Sequence, residues 1–186
     1  TTTQRDANGN VIKVTRPNGA VTTMTYDAKG NLLTSTTPFG STTTFTYEPN
    51  FNQVKTIRDP KGNTTTINYD SLGNAIEVID ALGNRTQMTY DNRGLLTSVI
   101  SAVGTSIQTV ATFIYDSKGN LLATTDPKGN VTRLFYDNAG NVLSSIDAEN
   151  RVTEFNYDPM NRLATVLDAG LKTTQYFYDA RGNISR

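Results

Sequence analysis

The sequence contains no cysteine, no histidine and no tryptophan in its 186 residues. Without Cys and His, several chemistries are excluded: Cys/His zinc sites, disulfide frameworks, thiol reactions and Ser-His-Asp or Cys-His nucleophile systems. No apolar run approaches the roughly 20 residues that a membrane-spanning helix needs. The chain starts at Thr1 without Met and shows no leader pattern, so any processing signal is expected outside it. Neither charge sign is in excess, with 17 basic and 17 acidic residues, which removes any bulk attraction for nucleic acid or an anionic membrane. The lack of Cys leaves the redox compartment open. Threonine, by contrast, is abundant at 31 residues, which favours strands and argues against long helices.

The dominant signal is a repeat. Tyrosines stand at 26, 47, 69, 90, 115, 136, 157 and 178, at steps of 21 or 22 except for one of 25. Each is followed by Asp, except Tyr47, which precedes Glu48. Typical units read Tyr-Asp-x-x-Gly-Asn, and the recurring residues are Tyr26, Asp27, Gly30; Tyr69, Asp70, Gly73; Tyr90, Asp91, Gly94; Tyr115, Asp116, Gly119; Tyr136, Asp137, Gly140; Tyr157, Asp158; and Tyr178, Asp179, Gly182. Between them run related segments such as DPKGN at 59–63 and 126–130 and DALGN at 80–84. Merging both series gives a four-residue turn every 10 or 11 residues, seventeen in all, with one step of 15 between 104 and 119.

Residue choice at these turns has a conformational logic. The fourth position is Gly in thirteen turns and Asn in two (Asn150, Asn161), the residues that best tolerate positive φ. Phe51 and Leu171 are exceptions, with Asn50 and Gly170 one residue earlier. All thirteen Asp occupy the first position, where a carboxylate accepts nearby backbone N–H groups. All six Pro occupy the second, where a fixed φ suits a type I turn. A type I turn followed by a left-handed Gly is a hairpin closed by a glycine bulge. Seventeen such turns join about eighteen short strands.

The strands between turns alternate. Four and two residues before each Tyr stand Thr, or Ala111, and a large apolar residue, as in Thr43 and Phe45 before Tyr47. That spacing defines one strand face. After each Tyr turn comes an apolar residue such as Leu32, Leu121 or Val142, and four further on stand Ile57, Ile79, Ile146 and Leu167, which plain alternation assigns to the same face. Hairpins with one apolar face gain stability by stacking. The expected fold is therefore all-β: tandem antiparallel hairpins of about 21 residues per unit, forming a long curved or spiralling sheet. Residues 1–186 read as one array without an internal boundary. The segment 101–113 is four residues longer than its equivalents and reads as a length-tolerant insertion rather than a binding loop. Both ends fall mid-repeat, with Arg5 where a Tyr is due, so the chain is expected to be a piece of a longer array whose open edges self-associate.

Tyr-Asp-x-x-Gly-Asn-Leu recurring every 21 residues, with Asp-Pro-x-Gly-Asn between, resembles the YD repeats of the Rhs (rearrangement hot spot) family, and the match covers essentially the whole chain. That family includes bacterial Rhs polymorphic toxins, wall-associated proteins, the B and C components of insecticidal toxin complexes, and teneurins. The resemblance implies a β-strip wound into part of a hollow shell. The shell would enclose a toxin domain in bacterial members or form an adhesion scaffold in teneurins, and the protein is expected to be a secreted or cell-surface protein of bacterial origin. Partners implied are the remaining repeats of the same full-length chain and an enclosed toxin. The separate segment that often closes bacterial shells has no counterpart here, so none of its catalytic residues can be placed. Asn also replaces the Arg often seen after the turn Gly, and YEPNFN (47–52), YDNRGL (90–95) and YDPMNR (157–162) are degenerate units.

Other chemistries fit the residues less well. Turn geometry accounts for every Asp, which leaves no distinctive carboxylate pair for acid–base work, so no enzyme activity is expected. DANGN (6–10) faintly resembles the opening of an EF-hand, but no turn carries the full alternation or the closing Glu, so no metal or cofactor is expected. A tyrosine ladder could stack on glycans, which makes a carbohydrate- or cell-surface-binding module the alternative reading; here the Tyr shares its face with Thr and a large apolar residue, which reads as core. Four Asn-x-Thr/Ser sequons, at Asn63, Asn84, Asn130 and Asn183, arise from the repeat itself.

Overall fold

The structure, a computed structural model, describes residues 1–185. It is all-β, with no helix among the described residues. The strands are β1 (Thr2–Arg5), β2 (Val11–Thr15), β3 (Val21–Tyr26), β4 (Leu32–Thr36), β5 (Thr42–Tyr47), β6 (Val54–Arg58), β7 (Thr64–Tyr69), β8 (Ala75–Ile79) and β9 (Arg85–Tyr90). They continue as β10 (Leu96–Ser101), β11 (Thr109–Tyr115), β12 (Leu121–Thr125), β13 (Val131–Tyr136), β14 (Val142–Ile146), β15 (Val152–Tyr157), β16 (Leu163–Leu167) and β17 (Thr173–Gln175). In place of an eighteenth strand there is a single antiparallel bridge, Tyr178 to Ile184.

The chain forms two compact units. Unit 1 holds Thr1–Thr89 with Ile100–Gln108; unit 2 holds Tyr90–Val99 and the chain from Thr109 on. In unit 1, β1 to β9 pair antiparallel with their sequence neighbours. In unit 2, β11 to β17 do the same. Each unit is thus a meander of short strands reversed by the turns that the glycine spacing announces. In fifteen of the seventeen turns the fourth residue's N–H donates to the first residue's carbonyl, the exceptions being 48–51 and 101–104. The turn glycines have φ between 79° and 93°.

Two turns depart from the expected residue. Leu171 itself takes positive φ (62°) rather than Gly170. At the other, Asn52 (φ 60°) takes it, not Phe51 or Asn50, because this turn is one residue longer and closes from the Glu48 N–H to the Gln53 carbonyl. Glu supplies the extra length: its carboxylate accepts the N–H groups of Asn50, Phe51 and Gln53 at 2.9, 2.6 and 3.0 Å. Glu48 is the most enclosed polar residue described. The insertion forms a loop, 102–108, stitched internally by Thr105 and Gln108 bonds to Ala102 and Gly104.

A second bulge lies one step beyond six of the tyrosine turns. Tyr26 pairs with Leu32 but Thr25 with Thr34, which leaves Leu33 extra; the same shift occurs at Tyr47, Tyr69, Tyr115, Tyr136 and Tyr157. The bulge changes side-chain parity and corrects the face expected from plain alternation. Ile79, Ile146 and Leu167 pair with Thr66, Arg133 and Glu154, three residues before a Tyr, and so lie on the face away from the tyrosines. Ile57 alone keeps the tyrosine face, pairing with Phe45, because the longer Glu48 turn shifts the register back.

The sheets are single layers. No hydrophobic residue described is buried, and the tyrosines are half-buried rather than core. The accessible surface is 12243 Å²; even two separate compact proteins of about 10 kDa each would together expose only about 10,600 Å². Neighbouring side chains along each face therefore provide what burial there is.

Candidate functional site

The repeated corner is a constellation that recurs in both units. In each of the thirteen Asp turns, one carboxylate oxygen accepts the backbone N–H groups two and four residues on, as Asp27 does from Lys29 (2.8 Å) and Asn31 (2.9 Å). The other oxygen has a side-chain partner in twelve. In nine it is the amide of the Asn after the turn Gly, as in Asn31 to Asp27 (2.8 Å), Asn74 to Asp70 (2.9 Å), Asn120 to Asp116 (2.8 Å), Asn141 to Asp137 (2.8 Å) and Asn183 to Asp179 (3.1 Å). In three it is a guanidinium: Arg93 to Asp91, Arg151 to Asp147 and Arg162 to Asp158. Asp168, followed by Lys172, has the backbone bonds alone.

These bonds stabilise the charged carboxylate. The Asn31 amide, then the Asn31 backbone, holds Asp27 below the usual carboxylate range. The Asn74 amide and the Arg162 guanidinium lead the same shift at Asp70 and Asp158. At Asp91 the Leu95 backbone N–H leads. Partial burial opposes the shift at Glu48, but its backbone donors still leave it below the usual glutamate range.

The tyrosine ties one hairpin to the previous one. The hydroxyls of Tyr26, Tyr47, Tyr69, Tyr136, Tyr157 and Tyr178 donate to the carbonyls of Val11, Leu32, Val54, Leu121, Val142 and Leu163, each fifteen residues earlier, at 2.7 to 3.1 Å. Each acceptor of the five later tyrosines is the strand partner of the preceding Tyr: Leu32 pairs with Tyr26, Val54 with Tyr47, Leu121 with Tyr115, Val142 with Tyr136 and Leu163 with Tyr157. The result is a relay of tyrosine, partner carbonyl and next tyrosine. Tyr115, which follows the longer loop, makes no such bond among the described residues. Burial, followed by the charge of Asp27, pushes the Tyr47 hydroxyl up.

Two features escaped the reading of the motif. The Asn after Gly is a partner of the corner carboxylate, a role its fixed spacing of four from Asp could have signalled. Asn in place of the turn Gly, which looked like decay, joins neighbouring corners: Asn31 and Asn52 exchange amide bonds at 2.7 Å in both directions, and Asn141 with Asn161 do so at 2.5 and 3.1 Å. The degenerate units are corners with a different tie.

In twelve of the thirteen Asp corners both carboxylate oxygens are engaged within the turn. Among the described residues no group of three or more acidic side chains is placed to hold a metal ion. No helix among them is long and apolar enough to cross a membrane. The arrangement fixes turns and register, with both carboxylate oxygens engaged at every Asp corner except Asp168.

Comparison with known proteins matches these observations. The RHS Repeat family profile matches residues 5–42 and 26–65, and the Teneurin YD-shell profile matches residues 80–186, more than half of the chain. No curated protein sequence matches. Among solved structures, TcdB2-TccC3 is similar with a TM-score of 0.67 at 20% identity over 98% of this chain. TcdB2-TccC3 without its hypervariable C-terminal region gives 0.67 at 19% over 98%. A Photorhabdus luminescens Tc holotoxin pore gives 0.62 at 19% over 98%. In each case this chain spans 12% of the solved chain's length, and the likeness is one of fold. With the tyrosine–aspartate corner repeated through both units and the shell profile covering all of the second, the chain belongs to the YD-repeat family of RHS repeats and teneurin YD-shells.

Proposed function

We propose that this chain is a non-catalytic wall segment of a YD-repeat shell in a secreted or cell-surface protein, where the shell encloses or presents a toxin, effector or adhesion domain. The observation that carries the reading is the saturation of the corner: twelve of thirteen aspartates use both carboxylate oxygens on their own turn. Side chains so committed specify geometry and leave little for chemistry. The single-layer sheet, with no buried apolar residue among the described residues, suits a wall, which covers area, better than a globular catalyst. Residues 1–186 act as one continuous array in this reading, with the other repeats of a longer chain and its enclosed domain as partners. The tyrosine hydroxyls are bonded to carbonyls, which favours the wall over a platform for glycans.

The test is limited proteolysis of the longer protein that carries the array. The enclosed domain should resist protease in the native protein and become sensitive when corner aspartates of the wall, such as Asp70 and Asp137, are replaced by Ala. Equal cleavage of that domain with an intact and a disrupted wall overturns the reading.

A further inference from the structure

Unit 2 holds a groove of about 480 Å³, within the size range of small-ligand sites. Leu122 and Phe135 form apolar walls, and Ala123 sits opposite Arg133 across the β12–β13 pair. Phe135 is 46% and Leu122 37% exposed, so both offer free apolar surface. The Arg133 side chain makes no hydrogen bond or ion pair among the described residues. At the turn end Lys118 reaches only the Asn138 carbonyl, at 3.3 Å. Asp116 and Asp137 also border the groove, but their carboxylates are held by Asn120 and Asn141 and by their own turns. Two cations therefore face the groove without an acidic partner that is free to neutralise them.

The repeat provides an internal control. Three and one residues before the tyrosine, where unit 2 has Arg133 and Phe135, unit 1 has Thr23 and Thr25, then Thr44 and Thr46. The same backbone register therefore tolerates small hydroxyls, and neither the guanidinium nor the ring is required by the fold. Ring and cation on alternate positions of one strand share a face and lie about 6.8 Å apart along it, the reach of an apolar side chain with a carboxylate beside it.

We propose that this groove binds a peptide segment carrying a carboxylate next to a large apolar side chain, with Arg133 pairing the carboxylate and Leu122 and Phe135 covering the apolar group. A charged hydrogen bond fixes the orientation, and the apolar contact adds most of the affinity.

The test is an NMR titration of the ¹⁵N-labelled chain with acetyl-Phe-Asp-Phe-amide, with acetyl-Phe-Lys-Phe-amide as counterpart. Saturable amide shifts are expected at 118–123 and 133–138. Arg133→Gln and Phe135→Thr should each raise the dissociation constant at least fivefold, and the lysine peptide should bind at least fivefold more weakly. Phe135→Thr installs the residue that unit 1 uses, so the fold is kept. Arg58→Gln, on the corresponding face of unit 1, should leave binding unchanged. Absence of saturable shifts, equal binding of the two peptides, or an unchanged constant in Arg133→Gln overturns the proposal. None of these outcomes bears on the wall, which the protease experiment tests separately.

Discussion

Units 1 and 2 share one face and differ on the other. On the tyrosine face both repeat Tyr, a large apolar residue and Thr or Ala, and no charged residue of known register lies there except Arg5 in β1. On the opposite face unit 1 is largely threonine, with hydroxyl pairs at 2.7 to 2.8 Å joining Thr25 to Thr34, Thr36 to Thr42 and Thr46 to Thr56. Unit 1 also carries a polar cluster there, in which Glu77 accepts from Asn68 and Arg85. Unit 2 places Ile114, Phe135, Val152 and Phe177 at the equivalent positions, all exposed. The corner and its tyrosine fix one face, and substitution is then free on the other. What distinguishes one stretch of the array from another must be sought on the face the motif does not mention.

The largest expected effect tests what the units share. Every corner carboxylate with a resolved shift titrates below its ordinary value. A depressed folded-state pKa contributes stability that is complete above the unfolded value, near 4, and is lost as pH falls through the folded value. Stability to urea should thus be flat from neutral pH to about 5 and collapse below about 4. Hydrogen exchange should show both units opening over the same range. Early loss of unit 2 alone would show that its arginine corners, not the shared backbone bonds, control acid stability.

Glycine at the turns separates the units next. Gly73 (φ 86°) also lies under the Phe51 ring of the longer turn, where an added Cβ would meet ring carbons at 3.0 to 3.3 Å. At Gly140 (φ 90°) the nearest atom is Asn120 Oδ1 at 3.7 Å. Gly140→Ala should cost about 1–2 kcal/mol from left-handed strain, and Gly73→Ala about 1 kcal/mol more from overpacking. Urea unfolding would measure both, and equal losses would mean that the Phe51 ring moves aside freely.

The tyrosine relay should act alike in both units. Tyr69→Phe and Tyr136→Phe each remove one hydroxyl–carbonyl bond and should each cost about 1 kcal/mol by urea unfolding, while Tyr115→Phe, which loses no such bond, should cost close to nothing. Turns, strands and the tyrosine face were legible in the sequence because Gly, Asp and Pro report backbone angles directly. The second bulge was not. Leu33 and its equivalents look like ordinary strand residues, since a bulge next to a regular turn needs no special side chain, and the face of Ile79, Ile146 and Leu167 was misassigned with it. The Asn31–Asn52 pair was hidden for another reason: its members are 21 residues apart, and only the stacking of turns brings the amides together. The apolar groove at Phe135 was equally out of reach, because alternation assigns a face but not the neighbour across it.

The smallest effect asks whether the two ways of holding a corner are interchangeable. Unit 1 uses the Asn amide at each of its Asp corners, while unit 2 uses Arg at Asp147 and Asp158. Arg162 also stacks 4.3 Å from the Tyr178 ring centre. Arg162→Asn converts this corner to the unit 1 form, exchanging a screened ion pair for a neutral bond. At low salt the variant should unfold at a slightly lower urea midpoint than the native chain. Near 1 M NaCl, where an exposed pair is screened, any remaining difference should come from the lost ring contact. Adding Tyr178→Leu separates the two contributions, since in that background Arg162→Asn should have no effect at high salt. A salt-independent penalty that survives loss of the ring would mean that the guanidinium fills space which the amide cannot, and that arginine and asparagine corners are structurally distinct.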